Sequence, residues 1–243
     1  MIPVTSAQKG LFTDYNSIAR DYYNHEKNAI TLWFLGYQPL LTYLKPVNHK
    51  SILDYGSGTG SFCRILRVYN ATVTGVDTSE GMIMVSKESQ TNGINYNQIA
   101  SGNLDFLPDQ SFDFVVSNFV FCTISTRNEI MEIMKSIHRV LKKNGSLVIM
   151  NANWDKSNGK EFISFKLQFN RNLSSGQSVT SVIKTDPPII LNDYYWSKAD
   201  YINLLTESGY EIHDVGEPLA RGNFVPWIAE KTHPPYQIIY AKK

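Results

Sequence analysis

The fold is decided by the stretch Ile52-Leu53-Asp54-Tyr55-Gly56-Ser57-Gly58-Thr59-Gly60-Ser61-Phe62. An apolar run ends in an acidic residue, and a glycine then occupies every second position before an apolar helical pattern begins. Glycines at a turn from a strand to a helix allow a tight turn and a close approach of the backbone to a ligand. The turn also directs the free N–H groups of the next helix at the bound molecule. The stretch therefore predicts a nucleotide-like cofactor site at the edge of a parallel sheet.

The spacing of the glycines narrows the class of cofactor. A dinucleotide-binding turn has its third glycine one position later, where this chain has Ser61. The phosphate loop that ends in Gly-Lys-Ser/Thr is absent, because Gly60 is followed by Ser61 and Phe62. An acid just before the first glycine, Asp54, faces a pyrophosphate poorly but suits a cationic amine. The turn alone is still compatible with an ordinary tight turn.

The pattern Asp54-x-Gly56-x-Gly58-x-Gly60 resembles the first motif of the class I, Rossmann-like S-adenosylmethionine-dependent methyltransferases. Further motifs follow in the family's order: Asp77 ends a second apolar strand, Gly102-Asn103-Leu104 precedes Ser111-Phe112-Asp113, and Asn118 ends a fourth strand. The resemblance covers positions 11 to 150 well. It implies S-adenosyl-L-methionine as the cofactor and transfer of its methyl group to an O, N or C atom. The near-zero charge and the aromatic residues of 151–195 favour a small, partly apolar acceptor, which we interpret as a biosynthetic molecule.

The resemblance also implies roles for the cofactor-site residues. Asp54 would hold the amino acid end of the cofactor, Gly56, Gly58 and Gly60 would let the backbone approach it, and Asp77 would bind the ribose hydroxyls. The adenine would be lined by Thr78, Met82, Asn103 and Leu104, and the sulfonium by Asn118 and Phe119. Asn103 departs from the family, which usually has an acid there, but its carbonyl oxygen can accept a hydrogen bond from the adenine amino group.

Alternating strands and helices predict an α/β fold with a doubly wound, mostly parallel sheet. Strands are expected at 51–55, 72–77, near 96–100, 112–117, 146–150, 210–216 and 236–240. In the family the last strand inserts antiparallel, which gives seven strands. We expect one methyltransferase domain over 1–243, with a helical cap at 1–48, a cofactor-binding half at 49–150, a substrate lid at 151–195 and a C-terminal helix and strands at 196–243.

Segments outside the repeat are predicted to bind the acceptor. In similar methyltransferases the N-terminal helical region folds over the cofactor as a cap, and the resemblance implies the same here. The lid follows a parallel strand, so it would overhang the ligand crevice. Two short lid strands are expected at 178–184 and 188–191, and the loop 217–235 opens on the same face. The candidate acceptor-binding residues are Tyr15, Tyr22, Trp154, Tyr195, Trp196, Arg221 and Trp227. The alternative is that the tyrosines pack on the sheet and that the lid aromatics form the lid's own core.

Two histidines are candidates for a general base. His233 lies in the loop before the last strand, and His25 lies in the cap. An unperturbed imidazole titrates near neutral pH, which suits a base, although His233 has the alternative of being a solvated surface residue. A base is needed only when the acceptor must lose a proton, because alignment of acceptor and methyl group does most of the work.

Composition excludes several classes of protein. A net charge of +1 over 243 residues argues against a nucleic-acid partner bound by charge. Two cysteines are too few for a disulfide framework, and with no signal peptide they indicate the cytoplasm. No metal-ligand spacing and no membrane-spanning run is present, and a monomer or homodimer is expected. Two alternatives stay open: a non-methylating enzyme on the same fold, such as an aminopropyl transferase or a cyclase, and a cofactor-binding module without catalysis.

Overall fold

A seven-stranded sheet forms the centre of the protein in a computed structural model that describes residues 12–89 and 92–243. The strands in chain order are β1 (Ser51–Tyr55), β2 (Thr72–Asp77), β3 (Ile94–Gln98), β4 (Phe112–Asn118), β5 (Leu141–Ala152), β6 (Phe165–Leu167), β7 (Ser178–Ile183), β8 (Ile189–Tyr194), β9 (Glu211–Gly216) and β10 (Tyr236–Lys242). The central sheet has the order β3-β2-β1-β4-β5-β10-β9. The strands from β1 to β5 pair in parallel, and β10 runs antiparallel to both of its neighbours. The predicted fold class is confirmed.

Helices cover both faces of this sheet. They are α1 (Tyr15–Glu26), α2 (Ile30–Leu32), α3 (Gln38–Tyr43), α4 (Ser61–Val68), α5 (Glu80–Glu88), α6 (Arg127–Val140), α7 (Trp154–Ser157) and α8 (Lys198–Glu207). A π-helical turn at Trp33–Tyr37 joins α2 to α3, and a 3₁₀ turn lies at Phe121–Thr123. Short polar residues begin several of them: Ser79 accepts from the N–H of Met82 at 3.1 Å, and Ser197 forms a capping box with Asp200. None of the helices in the described ranges is long and apolar enough to cross a membrane.

The core lies on either side of the sheet. The consecutive residues Ile52 and Leu53 of β1 are both fully buried, and they belong to different hydrophobic clusters. Ile52 packs with α3 and α4, through residues such as Leu66, and Leu53 packs with α6 and α8, through residues such as Ile130. A continuous apolar run is what a parallel strand buried on both faces requires.

A second sheet, which we call the lid sheet, consists of β6, β7 and β8 in antiparallel order within the predicted insertion 151–195. The sequence predicted β7 and β8 but not β6, because a strand of three residues is too short to show a period. Alternate residues of β8 are buried: Ile189, Leu191 and Asp193. The side chains of Ile189 and Leu191 pack with those of Tyr15 and Tyr22 on α1.

α1 is fastened to three other parts of the protein. The side-chain oxygen of Asn16 accepts from the hydroxyl of Ser79 and from the N–H of Gly81, both at 2.9 Å, at the start of α5. At the other end of α1, Glu26 accepts from the hydroxyl of Ser61 at 2.8 Å. Just before α1, the hydroxyl of Thr13 accepts from the backbone of β8 at 2.8 Å. α1 therefore connects the lid sheet with both helices that follow the first two strands.

Candidate functional site

The glycine turn joins β1 to α4. Gly56, Gly58 and Gly60 have φ angles of 76°, 53° and 78°, in the left-handed region that favours glycine. A Cβ atom at Gly56 would lie 2.0 Å from Val120 Cγ2, and one at Gly60 would lie 2.2 Å from the hydroxyl of Tyr96, whereas one at Gly58 would meet nothing within 4 Å. Packing thus requires the first and third glycines, and the middle one borders open space.

That open space is a cavity of about 410 Å³, which we call the outer cavity. Its wall comes from α1, the glycine turn and the carboxyl ends of β2 and β4, where open α/β sheets bind their ligands. The predicted site residues in this wall are Tyr15, Tyr22, Gly56, Gly58, Asp77, Thr78, Met82, Asn118 and Phe119. Its volume lies within the usual range of small-molecule sites, roughly 300–1,000 Å³.

Asp77 links the glycine turn to the end of β2. One carboxylate oxygen accepts from the N–H of Gly58 and the other from the N–H of Ser79, both at 2.8 Å. Burial raises the pKa of Asp77, and the hydrogen bonds from backbone N–H groups oppose that rise. Each carboxylate oxygen can accept a further bond, so Asp77 has capacity for ligand hydroxyls.

Two buried acceptors near the turn lack a hydrogen-bond partner in the described ranges, and of the two only Asn118 lies in the wall of the outer cavity. Asp54 is 1% exposed and accepts a hydrogen bond from the Cys63 thiol, while its other oxygen has no hydrogen-bond partner in the described ranges. The side-chain oxygen of Asn118, in the cavity wall, is buried and also without such a partner. Burial raises the pKa of Asp54 to about 7. An unpaired buried carboxylate is costly, and a nearby cation would offset that cost.

The loop after β3 presents other residues than predicted. Asn103 is exposed and its side chain accepts from the N–H of Asp105 at 3.1 Å, and Leu104 is fully buried in the core. Neither lies in the wall of the outer cavity, which this loop lines with Ile99 and Ser101. The hydroxyl of Ser101 donates to Glu129 at 2.8 Å. β3 ends at Gln98, two residues before the predicted end, so the loop passes the cavity earlier in the sequence.

Phe119 stands at the end of β4 with an uncommon backbone conformation. Its φ angle is 58°, and its N–H donates to the carbonyl of Met150 on β5 at 2.8 Å. A bulky residue in the left-handed region is an outlier that is typical of functional sites. Its ring packs edge-on against Tyr236 at 5.4 Å between ring centres.

A second cavity of about 70 Å³, the inner cavity, lies between α1 and the lid sheet. Tyr15, Tyr22 and Phe119 line both cavities, so the two adjoin each other through these three rings. Trp154, a predicted acceptor-binding residue, and His25 also line the inner cavity. Burial lowers the pKa of His25, which favours a neutral imidazole.

Asp193 on β8 lines the inner cavity and was not among the predicted site residues. It is 9% exposed, burial raises its pKa to about 7, and one carboxylate oxygen has no hydrogen-bond partner in the described ranges. A signal was present in the sequence. In the run Ile189-Ile190-Leu191-Asn192-Asp193, the alternation of a strand puts the acid on the same face as Ile189 and Leu191.

The remaining predicted residues line neither cavity. In the lid, Tyr195 donates its hydroxyl hydrogen to Asp155, and Trp196 donates its ring N–H to the carbonyl of Ile124 at 2.9 Å. In the loop 217–235, Arg221 is exposed and Trp227 packs edge-on against Phe34. His233 is half-buried, with a ring nitrogen 2.9 Å from the Thr232 hydroxyl.

Glu230 attaches this loop to two other segments by hydrogen bonds. Its carboxylate is fully buried and accepts from the Thr31 hydroxyl at 2.9 Å, from the N–H of Ile163 at 2.6 Å and from the N–H of Ile228 at 2.8 Å. It therefore ties the loop to α2 and to the segment before β6.

The chain is similar in sequence and in fold to known methyltransferases. Residues 53–149 match a family model described as a methyltransferase domain. N-demethylindolmycin N-methyltransferase from Streptomyces griseus is 31% identical over 172 residues, which are 69% of this chain and 71% of that enzyme. Demethylmenaquinone methyltransferase from Thermotoga maritima is 32% identical over 108 residues, which are 43% of this chain and 44% of that enzyme. An S-adenosylmethionine-dependent methyltransferase structure from Clostridium acetobutylicum shares the fold, with a TM-score of 0.64 at 14% identity over 92% of this chain and 98% of that one.

The sheet order, the glycine turn and these likenesses define a class of protein. The chain belongs to the class I S-adenosylmethionine-dependent methyltransferases. The cofactor predicted from the resemblance, S-adenosyl-L-methionine, is the one that this family uses.

Proposed function

We propose that the protein methylates a small-molecule acceptor that enters the inner cavity. The observation that carries this proposal is the shared wall of the two cavities, because Tyr15, Tyr22 and Phe119 line both and an acceptor in the inner cavity would therefore lie next to a cofactor in the outer cavity. S-adenosyl-L-methionine, when bound, supplies a methyl group already activated by the sulfonium. The protein's remaining task is to align the acceptor atom and to exclude water.

We propose that the glycine turn, Asp54 and Asp77 hold the cofactor. The unpaired oxygens of Asp54 and Asn118 would take its amine, directly or through a water, and Asp77 would take the ribose hydroxyls. Thr78 and Met82 would border the adenine together with Ile99 and Ser101, which take the place proposed from sequence for Asn103 and Leu104. Gly60 would act through the turn, since its Cβ position faces Tyr96.

Two observations support the acceptor class that we propose: the wall of the inner cavity and the name of a relative. Trp154, Phe165, Leu167, Ile183 and Leu191 make the wall mostly apolar, which favours a small, partly apolar acceptor. The Streptomyces griseus relative is named as an N-methyltransferase, which favours nitrogen among the O, N and C acceptors. Tyr195, Trp196, Arg221 and Trp227 would then support the surrounding structure.

Where the acceptor must lose a proton, we propose His25 as the base. It lines the inner cavity, and burial keeps its imidazole neutral and able to accept a proton. His233 lines neither cavity, so it could act as the base only after a movement of its loop toward the acceptor. The cytoplasm as compartment, the single-domain boundaries and the monomeric or homodimeric state remain predictions.

Transfer of label to a metabolite extract tests the proposal. The protein is incubated with cofactor labelled in the methyl group and, separately, in the amino acid chain. Methyl label in a small molecule supports methyl transfer, whereas label from the chain indicates an aminopropyl transferase. Tight binding of the cofactor without transfer of either label would favour the cofactor-binding module. A ring-closed product without label would favour the cyclase. Asp77→Ala, which should lose most transfer at low cofactor concentration, is the matched control.

A further inference from the structure

We propose that Asp193 recognises a basic nitrogen of the acceptor, and this rests on the proposed use of the inner cavity as the acceptor site. The inference deepens the proposed function, because it names the chemical class of the acceptor: an amine or amidine that carries a positive charge when it enters.

The lid sheet places this carboxylate by register. β8 pairs with β7, with Asp193 opposite Val179 and Leu191 opposite Ser181. The buried face of β7 and β8 is otherwise apolar apart from Ser181, and it turns toward α1. Packing at this position would favour a valine or a leucine, and burying an acid there lowers the free energy of unfolding. The acid therefore needs a reason other than packing.

The groups that face Asp193 offer no positive charge. From α1 come Tyr15, Tyr22 and His25, from the 3₁₀ turn comes Cys122, and from β10 comes Tyr236. Burial raises the pKa values of Tyr15, Tyr22 and Cys122, and the charge of Asp193 raises them further, so these groups stay protonated and neutral. Burial keeps His25 neutral as well. In the described ranges the wall of the inner cavity therefore contains an acid without a counter-ion.

A cationic nitrogen would supply what is missing. A lone carboxylate in an apolar cavity is poorly solvated, which is why its pKa rises to about 7. An ammonium or amidinium group would form a charge-assisted hydrogen bond to the unpaired oxygen and favour the ionised form. A neutral apolar acceptor of the same shape would leave the carboxylate unpaired, so the cavity discriminates against it.

The size of the cavity agrees with a compact charged group. Its volume of about 70 Å³ is smaller than the cavity of about 150 Å³ that holds a benzene molecule. A nitrogen with its hydrogens fits this space, and the rest of the acceptor would extend past Tyr15, Tyr22 and Phe119 toward the outer cavity.

The test uses a metabolite extract divided on a cation-exchange resin at pH 7. Wild-type protein is incubated with methyl-labelled cofactor and either the retained, basic fraction or the flow-through. We expect labelled product from the basic fraction. We expect Asp193→Asn to lower its rate of formation at limiting acceptor by at least about tenfold, with an unchanged affinity for the demethylated cofactor.

Two control variants remove a carboxylate elsewhere. Glu161→Gln removes one from the lid, where it is exposed and pairs with Lys184, and Asp21→Asn removes an exposed one from α1. Both should keep the wild-type rate, because each carboxylate is exposed and lines neither cavity.

Label confined to the flow-through overturns the proposal, and so does a rate for Asp193→Asn equal to that of Glu161→Gln. The comparison of labelled product from the two fractions needs only wild-type protein, so it tests the proposal even if a variant folds poorly. A lower melting temperature together with weaker cofactor binding in Asp193→Asn would mark a structural role and contradict recognition. Wild-type transfer to neither fraction would instead refute the proposed function itself.

Discussion

The carboxylate of Glu26, at the end of α1, accepts a hydrogen bond from the hydroxyl of Ser61, at the start of α4, at 2.8 Å. It also accepts from the hydroxyls of Thr59 and Tyr37, the latter at 3.2 Å. Thr59 belongs to the glycine turn, so the cap and the cofactor turn share one hydrogen-bonded centre. Burial raises the pKa of Glu26, and the hydroxyl donors oppose that rise. These hydrogen bonds therefore join the end of α1 directly to the glycine turn and to the start of α4.

This centre predicts the effect of Glu26→Ala. The substitution leaves three hydroxyl donors without their acceptor and should lower the free energy of unfolding by about 1–3 kcal/mol. Urea unfolding followed by circular dichroism measures it. Glu88→Ala is a matched control, because it removes an exposed acid that pairs with Arg20 of α1 and should cost less than about 1 kcal/mol. Equal effects of the two substitutions would show that the Glu26 centre does not stabilise the fold.

The carboxylate of Asp77 should contribute to cofactor affinity. Asp77→Ala removes an acceptor for ligand hydroxyls and also the partner of the N–H groups of Gly58 and Ser79. We expect binding of the demethylated cofactor to weaken by about 1–3 kcal/mol in calorimetry. Asp21→Asn, an exposed change on α1, should leave the affinity as it is. An affinity of Asp77→Ala equal to wild type would remove Asp77 from the cofactor site.

The three glycines of the turn should respond differently to alanine. Gly58→Ala places a methyl group in open space beside the outer cavity, so its main effect should be a loss of cofactor affinity of at least tenfold, with a stability loss of about 1–2 kcal/mol from its left-handed backbone. Gly60→Ala places the methyl group 2.2 Å from the Tyr96 hydroxyl and should cost more stability.

Tyr96→Phe distinguishes the two causes. It removes the hydroxyl that a methyl group at Gly60 would strike, so Gly60→Ala combined with Tyr96→Phe should recover part of the lost stability. Combined with Gly58→Ala, the same substitution should recover none. Urea unfolding of the singles and doubles gives the coupling energy. Recovery of equal size in both doubles would show that backbone strain, and not the contact with Tyr96, dominates at Gly60.

The sequence predicted the central sheet well because its signals are local. The apolar run before Asp54 and the glycines after it need only their own neighbours to be recognised, and β1 and β2 have the predicted bounds. Leu104 and Trp196 were expected in the site, but their apolar side chains serve the core equally well, and sequence alone does not distinguish the two uses. Phe119 lines both cavities and has a positive φ angle, and neither property can be recognised from the residue type alone.

The acceptor side was harder to predict because it is assembled over long distances. The inner cavity brings together α1, the end of β4 and the lid sheet, which are far apart in the chain. The sequence indicates Asp193 only as an acid on the apolar face of a strand. That face can be identified once the register of β8 is known. Glu129, whose N–H donates to the side chain of Thr126 at the start of α6, lines the outer cavity and was not among the predicted site residues.

The pH dependence of stability should reveal Asp193. The ordinary pKa of an aspartate is about 3.9, and burial raises the pKa of Asp193 to about 7. Between these values the native protein binds more protons than the unfolded chain, so this group lowers the free energy of unfolding as pH rises, and the loss is complete above the folded pKa. Asp193→Asn removes this dependence. The variant should therefore gain stability relative to wild type between pH 5 and pH 8, on the order of 2 kcal/mol.

Urea unfolding at several pH values in that window measures the difference. The comparison with wild type cancels the contributions of other groups, such as Asp54, whose pKa burial also raises to about 7, and His25, whose lowered pKa acts in the opposite direction. Glu161→Gln, which removes an exposed lid acid whose pKa is lowered by Lys184, should show no such gain with rising pH. A stability difference between Asp193→Asn and wild type that stays constant from pH 5 to pH 8 would mean that Asp193 is ionised throughout this window. With an ordinary pKa, the carboxylate binds no proton there in either the native or the unfolded state, so it adds no pH dependence. The carboxylate would then already have a counter-ion in the ligand-free protein, and its role as an unpaired receptor for a basic nitrogen would fail.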